Sequence, residues 1–304
     1  MQDRHPVVHI IVPNHNTAGY LCRCLDSLGA QQGGTRQAVY VVDNASHDDS
    51  VERVRRDYPE VHLLTSAFNG GFAYAVNLAL RQILAGADAQ AEPYYVLLLN
   101  SDTELPPGAL SAMVDFMEEH PEGGAAGPKL VMGDGQMDPA CRRSFPSPET
   151  AFYRLSGLAL LFPRSRRFGR YNLTYLDPDQ VTEVDSVSGA FMLARGEVVE
   201  RVGLLDEDFF FYGEDLDWAY RIKAHGWKIY YCPQVQVRHW KRVTSRKRPR
   251  ASLRHFYQAM RIFHRKHFAP DRAWPVNLLI ELGISLREGI ALIAYTFRRK
   301  EGSR

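Results

Sequence analysis

The 304-residue sequence predicts an α/β fold whose central sheet is mostly parallel and carries helices on both faces. Short apolar runs typical of buried strands alternate with stretches in which apolar residues recur at helical spacing. Four apolar runs precede residue 100, and helical stretches separate them. This βαβαβαβ order needs crossover connections, which place the strands in parallel and the helices on the faces of the sheet.

The first half of the chain supplies these elements in order. Strands are predicted at residues 7–12, 37–42, 61–65 and 94–99. Helices are predicted at residues 20–28, from Asp48 through Ser50 onward, and at 72–84. Asn16 or Thr17 is the expected N-cap of the first helix, since short polar side chains favour that position.

The second half of the chain is less regular. Residues 133–182 mix Gly, Pro, Arg and aromatic residues without a clear period. Further strands are predicted at 187–193 and 228–231, with a helix at 216–225 that Gly226 ends. Two more helices are predicted at 253–267 and 275–297, so that the sheet is followed by a helical appendage.

The composition, with 45% hydrophobic and 24% charged residues, is that of an ordinary globular protein. The first apolar run is too short for a secretory signal. The cysteines, Cys22, Cys24, Cys141 and Cys232, form no C-x-x-C pair. We therefore expect reduced cysteines in a cytoplasmic protein rather than a zinc site.

The charge is unevenly distributed along the chain. Residues 238–272 hold twelve Lys/Arg and one acid, Asp271, which leaves 25 basic and 34 acidic residues elsewhere, a net charge of −9. Such asymmetry indicates an anionic partner for the basic segment. No nucleic-acid recognition motif accompanies it, so nucleic acid is not the expected partner. A solvated loop, an anionic lipid and a phosphate-bearing acceptor remain the alternatives.

Polar motifs follow three of the predicted strands, where ligands of open α/β sheets bind. They are Pro13-Asn14-His15-Asn16, Asp43-Asn44-Ala45-Ser46 and Asn100-Ser101-Asp102. Each alone is compatible with a simple turn, but three at successive strand ends indicate a site. The glycine fingerprints of dinucleotide-binding and P-loop proteins are absent from the sequence.

The chemistry of these motifs suits a nucleotide. Asp43 is placed to accept hydrogen bonds from a base or ribose, although it could also cap a helix. Asp102 leaves a buried strand, and such a carboxylate can hold Mg²⁺ or Mn²⁺ against a diphosphate. Asn100 adds an oxygen without a charge, which predicts a weaker metal site than two aspartates would form.

Two further features lie in the second half. The aromatic residues from Phe209 to Tyr212 precede Gly213, Glu214 and Asp215. Acids in a first helical turn can simply complement the helix dipole, but beside an aromatic wall a carboxylate can also act as a general base toward a hydroxyl. His239 follows a strand-like stretch and is either structural or a metal ligand.

Taken together, these motifs resemble glycosyltransferase family 2, the inverting enzymes of GT-A fold, and within it the bacterial rhamnosyltransferase-like branch. The matching pieces run in the family's order over roughly residues 7–240: Val12-Pro13-Asn14-His15-Asn16, Val41-Val42-Asp43-Asn44-Ala45-Ser46, Asn69-Gly70-Gly71-Phe72-Ala73, Leu98-Leu99-Asn100-Ser101-Asp102, Ser188-Gly189-Ala190 and Phe211-Tyr212-Gly213-Glu214-Asp215.

The resemblance implies roles for these residues. It implies that Asp215 is the catalytic base with Glu214 as a supporting acid, and that Asp102 and His239 bind Mg²⁺ or Mn²⁺. The donor-binding set that it implies comprises Pro13, Asn14, Asn16, Asp43, Asn44, Asn69, Gly70, Asn100, Ser101 and Asp102. Asn100 replaces the first aspartate of the family's D-x-D motif, a change common in the rhamnosyl branch that favours a deoxythymidine diphosphate donor.

The same resemblance divides the chain at about residue 240. Residues 1–240 would form the GT-A catalytic domain, with a nucleotide-sugar half over about 1–132 and an acceptor half over about 133–240. Residues 241–304 would form a basic and amphipathic helical extension, because Glu281, Ser285 and Glu288 share one face of the last predicted helix. This extension could lie on the inner face of the cell membrane, pack on the body or form a homodimer interface.

The expected reaction is therefore inverting transfer of a sugar, rhamnose first, to a hydroxyl of a polysaccharide or polyprenyl-linked glycan. The donor would be a dTDP-sugar, with a UDP-sugar as the alternative. Two other functions fit parts of the pattern. A sugar nucleotidyltransferase shares the α/β body but would carry a glycine-rich basic motif after its first strand. A non-catalytic glycan- or nucleotide-sugar-binding module would not require Asp43, Asp102 and Asp215 together.

Overall fold

A computed structural model describes residues 6–86, 93–240 and 249–301. Its strands are β1 (Val7–Asn14), β2 (Gln37–Asn44), β3 (His62–Ser66), β4 (Tyr94–Leu99), β5 (Thr103–Glu104), β6 (Gly123–Met132), β7 (Thr182–Val184), β8 (Phe191–Arg195) and β9 (Lys228–His239). Its helices are α1 (Ala18–Gly29), α2 (Ser50–Asp57), α3 (Phe72–Ala85), α4 (Ala109–Glu119), α5 (Pro148–Leu155), α6 (Leu158–Leu161), α7 (Gly196–Val202), α8 (Glu214–Ala224), α9 (Pro249–His267) and α10 (Trp274–Glu301).

All nine of these strands join one sheet in the order β3-β2-β1-β4-β8-β6-β9-β5, with β7 also paired to β9. Strands β1, β2, β3 and β4 are parallel, and β8 runs antiparallel to both β4 and β6. Strand β9 is parallel to β6, while β5 and β7 run antiparallel to β9. Six strands therefore share one direction, which confirms the predicted mostly parallel sheet.

The predicted strands of the first half are present because each is an apolar run that can be buried on both faces. All six residues of β4 are buried, and so are Ile10, Ile11 and Val12 in β1. Helices α1 and α3 bury one face each against this sheet, as their apolar spacing predicts. Thr17 occupies the N-cap position of α1, yet its side chain makes no capping hydrogen bond.

The predictions for the second half need correction. Residues 187–190 lead into β8 as a turn, so the strand predicted at 187–193 lies later, and the strand predicted at 228–231 extends to His239 as part of β9. Residues 133–182, which we expected to be irregular, contain the short helices α5 and α6. The pattern also failed to predict β5, α4, β6, β7 and α7.

The helix α9 packs directly on α8 and the aromatic segment before it. Phe263 and Ala259 of α9 form a buried cluster with Phe209 and Leu216. His267 also hydrogen-bonds the carboxylate of Asp217 at 2.7 Å. The basic cluster from Lys241 to Arg250 lies mostly outside the described residues, which resume at Pro249. Within the described ranges, no helix is both long enough and apolar enough to cross a membrane.

Candidate active site

The polar residues that follow β1, β2 and β4 meet at one edge of the sheet. Asn14 donates from Nδ2 to Oδ1 of Asp43 at 3.0 Å, while its Oδ1 accepts from the Thr17 hydroxyl at 2.6 Å. The same hydroxyl lies 2.8 Å from the Ser101 hydroxyl. A direct hydrogen bond thus joins the first two predicted motifs, and Thr17 joins the third motif to the first. Thr17 takes part in this network instead of capping α1.

Asp43 is the buried centre of the network. Its Oδ2 accepts from the backbone N–H of Ser46 at 2.9 Å, and only 3% of the residue is exposed. The Ser46 hydroxyl accepts in turn from Asn14 Nδ2 and from the Asn16 backbone. Both Asp43 oxygens retain acceptor capacity, because a carboxylate offers about four lone-pair sites.

The Asn69-Gly70 turn is anchored to the same edge through Asn44. The Asn44 side chain donates to Asn69 Oδ1 at 3.1 Å and to the Gly71 carbonyl at 2.9 Å, and it accepts from the Gly70 N–H at 3.0 Å. Gly71 has φ +92°, and a Cβ there would lie 2.3 Å from the Phe210 carbonyl oxygen. Only glycine allows this turn to lie against the aromatic segment.

Asp102 faces His239, as the prediction of a shared metal site requires. The two side chains come from adjacent strand ends, since Thr103 pairs with His239 between β5 and β9. Asp102 Oδ1 lies 3.3 Å from His239 Nε2, and Oδ2 of the fully buried Asp138 lies 3.3 Å from Nδ1 on the other side of the ring. Burial opposes protonation, but the hydrogen bonds to both carboxylates raise the pKa of His239 to about 9.

The geometry of this pair fits a divalent cation. Two neighbouring ligands at about 2.1 Å from an octahedral ion lie roughly 3 Å apart, close to the separation of Asp102 and His239. Asp138 stands where a second carboxylate commonly orients a metal-binding histidine. Within the described ranges, no group of three or more His, Cys, Asp or Glu side chains could hold a metal ion by itself. Donor oxygens and water would therefore complete the coordination.

Asp215 lies in the first turn of α8 and is held from three sides. Its Oδ2 accepts from Arg143 Nη2 at 2.7 Å and from the Gly189 N–H at 3.0 Å. Its Oδ1 accepts from the Leu216 N–H at 2.8 Å, which leaves one lone pair of that oxygen for a substrate proton. The helix dipole alone would favour an acidic residue at this position. It does not explain why the buried Arg143 is paired with that acid.

Arg143 is the partner that the sequence did not identify. Its Nη2 also donates to the Val187 carbonyl at 2.8 Å, and the residue is buried. Burial lowers the pKa of this guanidinium, but the charges of Asp215, Tyr171 and Asp138 and the hydrogen bond to Asp215 together outweigh that effect and raise the pKa overall. The guanidinium therefore stays charged, and its hydrogen bond fixes the orientation of the Asp215 carboxylate.

Glu214 lies beside Asp215 with a different environment. Its Oε2 is buried and has no hydrogen-bond partner among the residues that the structure describes, and burial together with the charge of Asp215 raises the pKa of Glu214 to about 8. The preceding residues, Tyr212 (φ +73°) and Gly213 (φ +90°), both adopt left-handed backbone conformations. That conformation is strained for tyrosine, and such strain is typical of functional sites.

One short turn connects the sheet edge that carries Asn100 to Asp215. Gly189 N–H donates to Asp215, and the carbonyl of the next residue, Ala190, accepts from the Asn100 N–H at 3.1 Å. On the other side, the Phe72 N–H donates to the Phe210 carbonyl at 3.0 Å. All six matching motifs are therefore linked, directly or through one residue.

A cleft of about 510 Å³ opens beside this network at the N-terminus of α1. Its walls include Asn16, Thr17, Tyr20, Arg23 and Asp48. The Arg23 guanidinium stacks on the rings of Tyr20 and Trp240 at 4.4 and 5.0 Å. The volume is in the range of small-ligand sites, and a helix N-terminus favours anionic groups.

The structure brings the predicted residues Asn14, Asp43 and Ser101 into one hydrogen-bonded network, with Asn44, Asn69 and Gly70 beside it. It places Asp102 against His239 and Asp215 against Glu214. Asp138 and Arg143 were missed, because both lie in the segment 133–182 to which the sequence assigned no element. The adjacent arginines Arg142 and Arg143 between buried residues were the available signal, since buried arginines require partners.

Curated relatives of this chain are glycosyltransferases. A curated relative from Mycobacterium tuberculosis, N-acetylglucosaminyl-diphospho-decaprenol L-rhamnosyltransferase, is 29% identical over 262 residues, which cover 84% of this chain and 83% of the relative. The low-salt glycan biosynthesis hexosyltransferase Agl10 of Haloferax volcanii is 25% identical over 66% of this chain and 57% of its own length.

Solved structures share the fold. The mannosyltransferase PcManGT from Pyrobaculum calidifontis, solved with GDP-Man and Mn²⁺, has a TM-score of 0.57 at 22% identity, covering 95% of this chain and 73% of that one. GalNAc-T7, solved with UDP, GalNAc and Mn²⁺, has a TM-score of 0.59 at 13% identity and covers 86% of this chain and 48% of that one. These similarities confirm the predicted GT-A fold.

Residues 5–258 match the family described as glycosyltransferase like family 2. The match includes every motif of the site and continues into α9. The chain therefore belongs to the family 2 glycosyltransferases and is a glycosyl-transferring enzyme.

Proposed function

We propose that this enzyme transfers L-rhamnose from a dTDP donor to a hydroxyl of a lipid-linked glycan, with inversion at the anomeric carbon. The observation that carries this proposal is the link from Asn100 through Ala190 and Gly189 to Asp215, because it holds a candidate base next to a candidate diphosphate site. The rhamnosyltransferase from M. tuberculosis, whose name specifies a lipid-linked N-acetylglucosamine, supports the sugar and the acceptor class.

In the proposed donor complex, the nucleotide lies against the network around Asp43 and beside the cleft at the N-terminus of α1. Asp43 accepts a hydrogen bond from the base or ribose, and Asn14 keeps the carboxylate oriented for this contact. The Asn69-Gly70 turn, which Asn44 anchors to the same edge of the sheet, would pass close to the nucleotide, where glycine permits a close backbone approach. Pro13, Asn16, Asn44 and Ser101 complete the proposed donor site.

Asp102 and His239 are the proposed ligands of Mg²⁺ or Mn²⁺, with Asp138 orienting the histidine ring. A bound cation would neutralise the diphosphate oxygens and so stabilise the leaving group. Asn100 contributes a neutral oxygen at the same strand end. Because the protein supplies few ligands, we expect the metal to bind tightly only together with the donor.

Asp215 is the proposed general base. Arg143 and Gly189 hold its Oδ2, so its Oδ1 is the atom expected to remove the acceptor proton as the hydroxyl attacks. The hydroxyl attacks from the face opposite the diphosphate, the glycosidic bond forms as the bond to the diphosphate breaks, and dTDP leaves. Glu214 is expected to contact the acceptor as a neutral acid, because its raised pKa keeps a proton near neutral pH.

A donor panel tests this proposal. The full chain is incubated with Mn²⁺, a lipid-linked N-acetylglucosaminyl diphosphate and one of dTDP-rhamnose, UDP-glucose, UDP-N-acetylglucosamine or GDP-mannose, and the products are separated by mass. We expect disaccharide and dTDP from dTDP-rhamnose alone. Transfer only from a UDP-sugar would overturn the donor assignment, and release of pyrophosphate would indicate a nucleotidyltransferase instead.

A further inference from the structure

The last helix, α10, presents its polar side to the protein. Glu288 accepts from Arg261 of α9 at 2.7 Å, and Glu281 accepts from Arg265 of the same helix at 2.7 Å. The Ser285 hydroxyl also accepts from Arg261 at 3.1 Å. The polar face that the sequence identified is therefore used for packing on α9, and both acids of the helix between Trp274 and Phe297 are paired there.

The opposite side of α10 is apolar and exposed. Leu279, Leu282, Leu286, Ile290, Ile293 and Phe297 recur at three- and four-residue spacing and are each about half to two thirds exposed. Trp274 at the start of the helix is 76% exposed. None of the exposed residues from 274 to 297 carries a charge. This arrangement reverses the usual orientation of a surface helix, in which the apolar stripe faces the core.

The short helix α6 is a second exposed apolar element. Leu160 and Leu161 of α6 are 84% and 71% exposed, and Phe162 follows them. The helix α5, which leads into α6, lines a cleft together with Arg272, Val276 and Leu279. The residues after α6 include the exposed arginines Arg164 and Arg166.

We infer that the outward face of α10, together with the tip of α6, docks on the surface of an anionic lipid bilayer. Contiguous exposed apolar surface of this extent marks an interaction site. Basic residues next to these elements favour an anionic partner. Arg164 and Arg166 follow α6 in the chain, and the sequence places Arg298, Arg299 and Lys300 at the end of α10. Anionic headgroups complement these positive charges, which favours a lipid surface over a second copy of the chain.

The dimensions fit a helix that lies in the membrane plane. The 28 residues of α10 extend about 42 Å at 1.5 Å per residue, and aromatic residues occur at both ends of the stripe, where they favour the bilayer interface. Docking of this kind would bring the active site to a lipid-linked acceptor. The role of membrane docking in catalysis rests on the proposed lipid-linked acceptor. Vesicle binding is measured without donor or acceptor, so the docking inference and the proposed function can fail separately.

Flotation of the full chain with vesicles tests the inference. Vesicles of phosphatidylcholine with about a third phosphatidylglycerol are compared with pure phosphatidylcholine at low and high salt. We expect the full chain to float with the anionic vesicles. The triple substitution Leu279→Ser, Leu286→Ser and Ile293→Ser should lower the partition coefficient at least about tenfold, because it removes three inserting side chains.

Three further variants make the test specific. Leu160→Ser with Leu161→Ser should weaken binding, and Arg164→Gln with Arg166→Gln should weaken it on anionic vesicles only. Val181→Ser replaces an exposed apolar residue outside both elements and should bind like the unmodified chain. Transfer to a short water-soluble acceptor should be unchanged in the triple variant, which would show that the enzyme remains folded.

Several results would overturn the inference. One is a full chain that remains unbound at low salt, and another is a triple variant that floats as well as the unmodified chain. Sedimentation velocity supplies a third. A stable dimer that the triple substitution converts to monomers, in a chain that does not float, would assign the face to a second copy instead.

Discussion

The ion pair between Arg143 and Asp215 allows a quantitative prediction. Replacing Arg143 with Met keeps most of the side-chain volume but removes the hydrogen bonds from Nη2 to Asp215 and to the Val187 carbonyl. The Asp215 carboxylate, which is 8% exposed, would keep only two backbone donors. Leaving one charge of a buried pair without its partner costs about 3–5 kcal/mol of folding free energy.

A double-mutant cycle separates this coupling from general destabilisation. Arg143→Met, Asp215→Asn and the double variant are unfolded in guanidinium chloride, and the double variant should be about 2 kcal/mol more stable than the sum of the single changes predicts. Arg195→Met serves as the matched control, because Arg195 is partly buried and donates to the Tyr95 hydroxyl and the Gly123 carbonyl, away from Asp215. Additivity within about 0.5 kcal/mol for Arg143 and Asp215 would refute the assigned pairing.

Three further predictions concern neighbouring residues. Because burial and the charge of Asp215 raise the pKa of Glu214 from 4.5 to about 8, the folded state holds a proton that the unfolded chain loses, so stability should fall as pH rises between these values. Thermal unfolding of Glu214→Gln, which cannot ionise, should lack this fall, and an unchanged pH profile would contradict the burial assigned to Glu214. Gly189→Ala would place a Cβ 3.3 Å from the Asp215 Cβ and should lower kcat more than donor affinity, so an unchanged kcat would argue against a positioning role. Asp102→Ala should abolish Mn²⁺ binding in the presence of donor, measured by electron paramagnetic resonance, whereas His239→Ala should only weaken it; full activity after exhaustive chelation would exclude the metal site.

The sequence predicted the first half of the fold well because its local and tertiary preferences agree there. Strands such as β4 are apolar runs bounded by polar residues, and the sheet buries them without conflict. Strand β6 is different, since it begins with the weak strand formers Gly123, Gly124 and Ala125. Gly124 is needed because a Cβ would lie 2.6 Å from the Trp227 side chain. Close packing between distant segments thus determines that these residues form strand β6. The local sequence pattern contains no signal for this packing.

The residues of the candidate site likewise comprise some that the sequence predicted and others that it missed. Asp43, Asp102 and Asp215 were predicted because each directly follows a strand or begins a helix within a motif. Asp138 and Arg143 act through partners that are 101 and 72 residues away, and their own segment carries no periodic signal. Their roles depend on three-dimensional contacts, as the buried ring of His239 between two carboxylates illustrates.

The proposed role of Asp215 can be tested most directly by comparing turnover and donor binding in one variant. Asp215→Asn retains an acceptor oxygen for the Gly189 N–H but cannot accept the acceptor proton. With dTDP-rhamnose and a lipid-linked acceptor, kcat should fall by about 10²–10⁴-fold, the usual contribution of a positioned base. Donor affinity, measured by calorimetry with Mn²⁺, should stay within about twofold of the unmodified enzyme. Near-normal turnover of a folded Asp215→Asn variant would contradict the assignment and make Glu214 the candidate base.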